Sequence, residues 1–216
     1  MRRYILPLII SLLAVVACAP KQNIDKRFDE GVSKELAEWR KATIHNVEYD
    51  LMFDLVANRG VAGVGFTLEK PQDVIIDFRR TELVTGVRMF DSNESVEYSL
   101  CNEHIVIPES ETRAGRQGFS IDFNVDNQSL NRRDEFLYTL LVPDRARTLF
   151  PCFDQPDMKA HYRLSLAIPE EWEAVSNTPV TTPEYDAEDW YDLDFGHPIP
   201  EGMKIVSFAR TEPLST

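Results

Sequence analysis

Nowhere in these 216 residues do two imidazoles stand one helical turn apart, the HExxH spacing that lets both reach a single zinc ion. The four histidines, His45, His104, His161 and His197, are scattered, and none has a second histidine or a cysteine at metal-ligand spacing. No GxSxG elbow presents a serine nucleophile. Cationic charge is scarce: 23 Lys and Arg stand against 36 Asp and Glu, a formal charge of −13. That balance excludes a nucleic-acid partner, whose phosphates need Lys and Arg to neutralise them, and fits a solvated acidic surface. No apolar run reaches the roughly 20 residues that span a bilayer. There are only three cysteines, Cys18, Cys101 and Cys152.

What is present begins with a short basic start, MRRY, followed by the apolar run ILPLIISLLAVVA and then Cys18. The run is too short to cross a membrane comfortably and reads as a cleaved export signal over residues 1–17. Its end, VVAC, resembles a bacterial lipobox, in which a small residue admits the signal peptidase and the thiol of the new first residue carries lipid. The expectation is an exported bacterial lipoprotein, on the periplasmic or cell-surface side of a membrane, held to lipid through Cys18. An ordinary signal peptide with a coincidental cysteine is the alternative. Cys101 and Cys152 then remain, either paired in an oxidising compartment or as buried free thiols.

Residues 18–30 are polar and aperiodic, as a tether would be. In VSKELAEWRKA, Ser33 is placed to cap a helix that brings Val32, Leu36 and Trp39 to one face. From Ile44 the period falls to two: Val47, Tyr49, Leu51, Phe53 and Leu55 alternate with polar residues, the mark of a half-buried strand. The same signal recurs in VGFTL, DVIIDF, FSIDFNV, EFLYTLLV and HYRLSLAI, separated by turn formers such as ANRG and DSNES. Without strand–helix–strand alternation, a mostly β domain of antiparallel sheets with one short amino-terminal helix is expected over residues 31–216. The acidic, aromatic segment TTPEYDAEDWYDLDFGHPIPEG reads as a long surface loop before the last strand.

The densest group of functional side chains is FPCFDQP, residues 150–156. Cys152 lies between Pro151 and Phe153 with no basic neighbour to lower its pKa, which favours a buried structural thiol over a nucleophile. Asp154 can accept backbone hydrogen bonds and fix a turn, and Pro156 biases Gln155 toward extended backbone. Upstream, Asp144 is placed to cap a one-turn helix, Arg147 to pair with Asp154 across the turn, and Phe150 and Phe153 to pack into the sheet. His161 falls on the outward side of its strand. The residues describe a corner, with no catalytic role for any of them.

The stretch VPDRARTLFPCFDQPDMKAHYRLSLAIPEEWEAVSNTPV resembles the amino-terminal domain of the aminopeptidase N family of zinc metallopeptidases. Arg147, Phe150, Pro151, Cys152, Phe153, Asp154 and Pro156 carry the likeness, which extends back to GVSKELAEWRKATIHNVEYDLMFDL and forward to FARTEPLST. The resemblance implies a saddle of β-sheets whose chemistry belongs to a following domain, where GxMEN holds the substrate amino end and HExxH with a further glutamate binds zinc. Neither motif occurs here, so no catalytic or metal-binding residue is assigned and no cofactor is expected in this chain; zinc belongs to the full-length family enzyme. Peptide substrate is expected only beside a catalytic domain. Where the family contributes a Gln or Glu to the substrate amino group, this chain has Val142, which cannot accept that hydrogen bond. Two readings follow: the non-catalytic amino-terminal domain of an exported aminopeptidase, incomplete at its carboxyl end, or a stand-alone lipid-anchored module that binds peptides or docks a partner.

Overall fold

A computed structural model describes residues 25–133, 135–181 and 201–216. The lipobox with Cys18, most of the acidic insertion and His197 lie outside the described residues. The helix is present as α1 (Lys34–Thr43), and Ser33 caps it by accepting the Leu36 N–H at 3.0 Å. Its buried face is Leu36 together with Arg40, while Val32 and Trp39 are half-buried.

Among the described residues, twelve strands follow in chain order. They are β1 (Ile44–Asp54), β2 (Arg59–Leu68), β3 (Val74–Asp77), β4 (Val84–Met89), β5 (Ser99–Cys101) and β6 (His104–Ile107). Then come β7 (Gly115–Asn124), β8 (Leu130–Arg132), β9 (Leu137–Thr139), β10 (His161–Pro169), β11 (Val180–Thr181) and β12 (Met203–Phe208). Seven of them form one sheet in the order β11-β12-β10-β1-β2-β7-β4, beside the three-stranded β3-β6-β5 and the β8-β9 hairpin.

The period-two residues of β1 behave as their alternation demands. Val47, Tyr49, Leu51, Phe53 and Leu55 are all buried on one face. At the end of β1, Asp54 turns the chain by accepting the N–H groups of Val56 and Ala57, and Asn58 takes the left-handed conformation that Asn tolerates (φ +54°).

One pairing departs from the antiparallel expectation: β1 and β10 run parallel, with Tyr49 opposite Tyr162 and Leu51 opposite Leu164. Parallel neighbours need a long crossover, and here β2 to β9 intervene between them. Apolar side chains of β3 and β6 join those of β1, β2 and β7 in one core, with Phe78 set edge-on to Phe123 at 5.3 Å. A smaller cluster of Met52, Val61 and Ala167 sits apart, with Met203 and Ile205 packed on it.

Candidate functional site

The FPCFDQP corner is a sealed polar knot. Phe150, Cys152 and Phe153 are buried, Pro151 with them, and only Pro156 of the motif is exposed. Cys152 and Asp77 exchange both backbone hydrogen bonds, at 3.0 and 2.8 Å, so the corner is stitched to the end of β3. The Phe153 N–H donates to the Tyr49 hydroxyl at 2.8 Å, and the Asp154 N–H donates to Asp77 Oδ2 at 2.9 Å.

Asp77 is the hub. Arg40, fully buried on α1, grips both its oxygens at 2.7 and 2.6 Å, donates also to the Ile75 carbonyl, and lies 5.3 Å over the Phe153 ring. His104 approaches Asp77 Oδ1 with Nδ1 at 2.9 Å and the Asp29 carbonyl with Nε2 at 2.8 Å. Burial alone would raise the Asp77 pKa. The Arg40 charge and the hydrogen bonds from His104 and Arg40 outweigh it and hold the carboxyl at about 2.

Two expectations for this corner are corrected. Arg147 and Asp154 do not form a side-chain pair: the Asp154 carboxylate accepts the Arg147 backbone N–H at 3.1 Å. The guanidinium goes to Asp144 at 2.8 Å and lies 3.3 Å from Glu103, which also holds Arg79. Nor does Asp144 cap the one-turn helix, a 3-10 turn over Ala146–Thr148: its N-cap is Arg145, with no side-chain cap bond. Asp144 instead sits at φ +55°, turning its carboxylate toward Arg147.

Neither thiol is bridged; Cys101 is half-buried and Cys152 buried, both free. Burial first, then the Asp154 and Asp77 charges, push the Cys152 thiol well above its usual pKa. Asp154 is also raised, by burial above all, against the lowering effect of the Arg147 N–H. His161 is half-buried, its Nδ1 2.8 Å from the Thr211 carbonyl.

The donors here do not fit a zinc ion. Both Asp77 oxygens are held by Arg40, both ring nitrogens of His104 face oxygen partners, and no group of three or more His, Cys, Asp or Glu among the described residues is placed to hold a metal. The knot positions backbone: its side chains hold the N–H groups of Arg147, Phe153 and Asp154.

Beside the knot lies an open groove of about 690 Å³. Leu51, Phe53, Leu164 and Leu166 of the sheet line it, with Leu137 of β9 and, from the segments outside the strands, Leu141, Phe150, Trp172 and Leu214. Leu164 and Leu166 are only half-buried despite the alternation that points them inward. Along β9 and its extension, Phe136, Tyr138, Leu140 and Val142 form an exposed apolar stripe, Val142 being 77% exposed on the rim of the groove. The groove and the pairings Arg40–Asp77–His104 had no signal in the hydrophobic pattern: one depends on what fails to cover a strand, the other on a buried charge.

The chain belongs to the family described by the Peptidase M1 N-terminal domain, whose model matches residues 46–216. It is similar to glutamyl aminopeptidase of Mus musculus, 25% identical over 207 aligned residues that cover 81% of this chain and 22% of that protein. A stretch of 50 residues is 44% identical to aminopeptidase N of Streptomyces lividans, covering 23% of this chain and 6% of that protein. Among solved structures, Legionella pneumophila aminopeptidase A in complex with aspartic acid shares the fold with a TM-score of 0.61 at 13% identity, over 80% of this chain and 20% of that one. An M1 zinc metallopeptidase from Deinococcus radiodurans gives 0.58 at 15% identity, over 79% and 40%. The chain thus spans about a fifth of the length of its mouse relative.

Proposed function

We propose that this chain serves as the non-catalytic amino-terminal β-domain of an exported M1 aminopeptidase, walling the substrate cleft while zinc binding and peptide hydrolysis reside in a catalytic domain outside these residues. The observation that supports this reading most is the uncovered apolar groove running from Phe150 to Leu214, together with the stripe from Phe136 to Val142. Apolar surface of this extent, rimmed by polar residues, serves as a docking face for another domain. The corner keeps β1, β3 and α1 in fixed register beneath that face. At the substrate-contact position Val142 offers an apolar surface and no acceptor, so recognition of the substrate amino group falls to the catalytic domain. Export and attachment to membrane lipid through Cys18 complete the proposal, with the peptidase on the periplasmic or cell-surface side of a membrane and peptides as its substrates.

The test is zinc analysis and an aminoacyl-anilide assay on the purified full chain. The expected result is no stoichiometric zinc and no hydrolysis; zinc at one equivalent together with hydrolysis overturns the reading. Labelled palmitate supplied to expressing bacteria is expected to enter the chain and to be absent from Cys18→Ser.

A further inference from the structure

On the outer face of the seven-stranded sheet, where Glu48 and Asp50 alternate with buried Tyr49, lies a second cavity of about 310 Å³. That volume is at the lower end of small-ligand sites. Its floor is backbone: Gly65 of β2 and Gly118 of β7 are direct neighbours across the sheet, with Gly63 beside them. A Cβ on Gly65 would stand 2.9 Å from Glu48 Cγ, and one on Gly63 would stand 2.7 Å from the Phe90 ring. Because both are glycine, Glu48 and Phe90 lie down along the walls and the trough stays open between them.

The charges around it run against the rest of the molecule. In a chain of formal charge −13, four guanidiniums, Arg113, Arg116, Arg163 and Arg210, line this cavity with only three carboxylates, Glu48, Asp50 and Asp91. Arg113 is bonded to Asp91 at 2.5 Å and Arg116 to Glu48 Oε1. Arg210 is held less closely: it stands 3.8 Å from Glu48 Oε2, beyond hydrogen-bond reach, and makes no closer ion pair among the described residues. Its planar fork of N–H donors is therefore available, and such a fork matches a carboxylate with two parallel bonds. Phe90, 56% exposed, supplies an apolar wall to the same trough.

We propose that this trough binds a small organic carboxylate, the free carboxyl end of a peptide or amino acid, with the carboxylate on Arg210 and an apolar side chain against Phe90. The site is separate from the corner and does not depend on the function proposed above.

The probes are acetyl-phenylalanine and its carboxamide, titrated into the full chain by calorimetry, with Arg210→Gln as the variant. The free acid is expected to bind, with the carboxamide about tenfold weaker or more, the difference that a charge-assisted hydrogen bond makes. Arg210→Gln is expected to bring the acid to the level of the carboxamide with an unchanged circular dichroism spectrum. Equal binding of acid and carboxamide, no binding of the acid, or an Arg210→Gln chain that still prefers the acid overturns the proposal.

Discussion

The two ends of the inner sheet face obey the same alternation and meet different fates. At the corner, Tyr49, Phe66 and the motif's own Phe153 are buried, and even Arg40, Asp77 and His104 are enclosed, with Arg40 and His104 both turned to the Asp77 carboxylate. At the β10 end, Leu164 and Leu166 keep the same inward phase but are left half open in the groove. The lesson is that strand periodicity fixes which face a side chain takes, whereas what covers that face is decided by segments far away in the chain. The closed end is packed shut; the open end leaves apolar side chains partly uncovered.

The largest effect is expected where the closed end is cut. Asp77→Ala leaves Arg40 buried without its carboxylate and strips partners from His104 and the Asp154 N–H, so urea unfolding of the full chain should show a loss of about 3–5 kcal/mol. The direct comparison comes next. Phe153→Ala, in the closed end, should cost about 3–4 kcal/mol, while Leu166→Ala in the groove should cost less, about 2 kcal/mol, because part of that side chain stays in contact with water. Equal losses would erase the distinction between the two ends.

The strongest pH dependence should belong to the closed end. Asp77 is held at about 2 against its ordinary 3.8, so its contribution is fully present above pH 3.8 and is lost as pH falls toward 2. The loss amounts to about 2 kcal/mol. Asp154, raised by burial, acts in the opposite sense, so the slope should be read as the difference between the native chain and Asp77→Asn over that range. The smallest effect is expected on the groove rim, where Val142→Gln, at a 77% exposed position, should leave stability within about 0.5 kcal/mol.

The strands that alternate clearly are legible in the sequence, as β1 and β10 show, and Ser33 gives away the helix start by its cap, whereas β4, β5, β6, β8 and β11 carry no such signal and are not among the expected strands. The parallel pairing of β1 with β10 is not legible, since no local feature of either strand names its neighbour. The corner is half legible. Turn formers and aromatic residues in FPCFDQP announce a buried bend, and Cys152 sits among them as an inert thiol. Yet the residue that holds the bend is Asp77, some seventy positions upstream, joined by Arg40, whose place four residues after Leu36 puts a charge on the buried face of α1. Hydrophobic periodicity passes over such a residue because it scores a charge as solvent-facing. Arg147 and Asp154 meet as sequence proximity suggests, but through the backbone N–H, because Asp144 and Glu103 already claim the guanidinium.

The contrast between sealed corner and open groove can be measured with thiol chemistry in one molecule. Cys152, fully buried in the corner with its thiol pushed well above the usual range, is the built-in reference for the closed end, and Leu166→Cys places a second reporter in the groove. Alkylation of the folded full chain, followed residue by residue by mass spectrometry, should modify Cys152 negligibly and the thiol at position 166 at least about tenfold faster, as accessibility governs thiol reactivity. A position-166 thiol as unreactive as Cys152 would mean that the groove is closed and would contradict the docking face on which the proposed function rests.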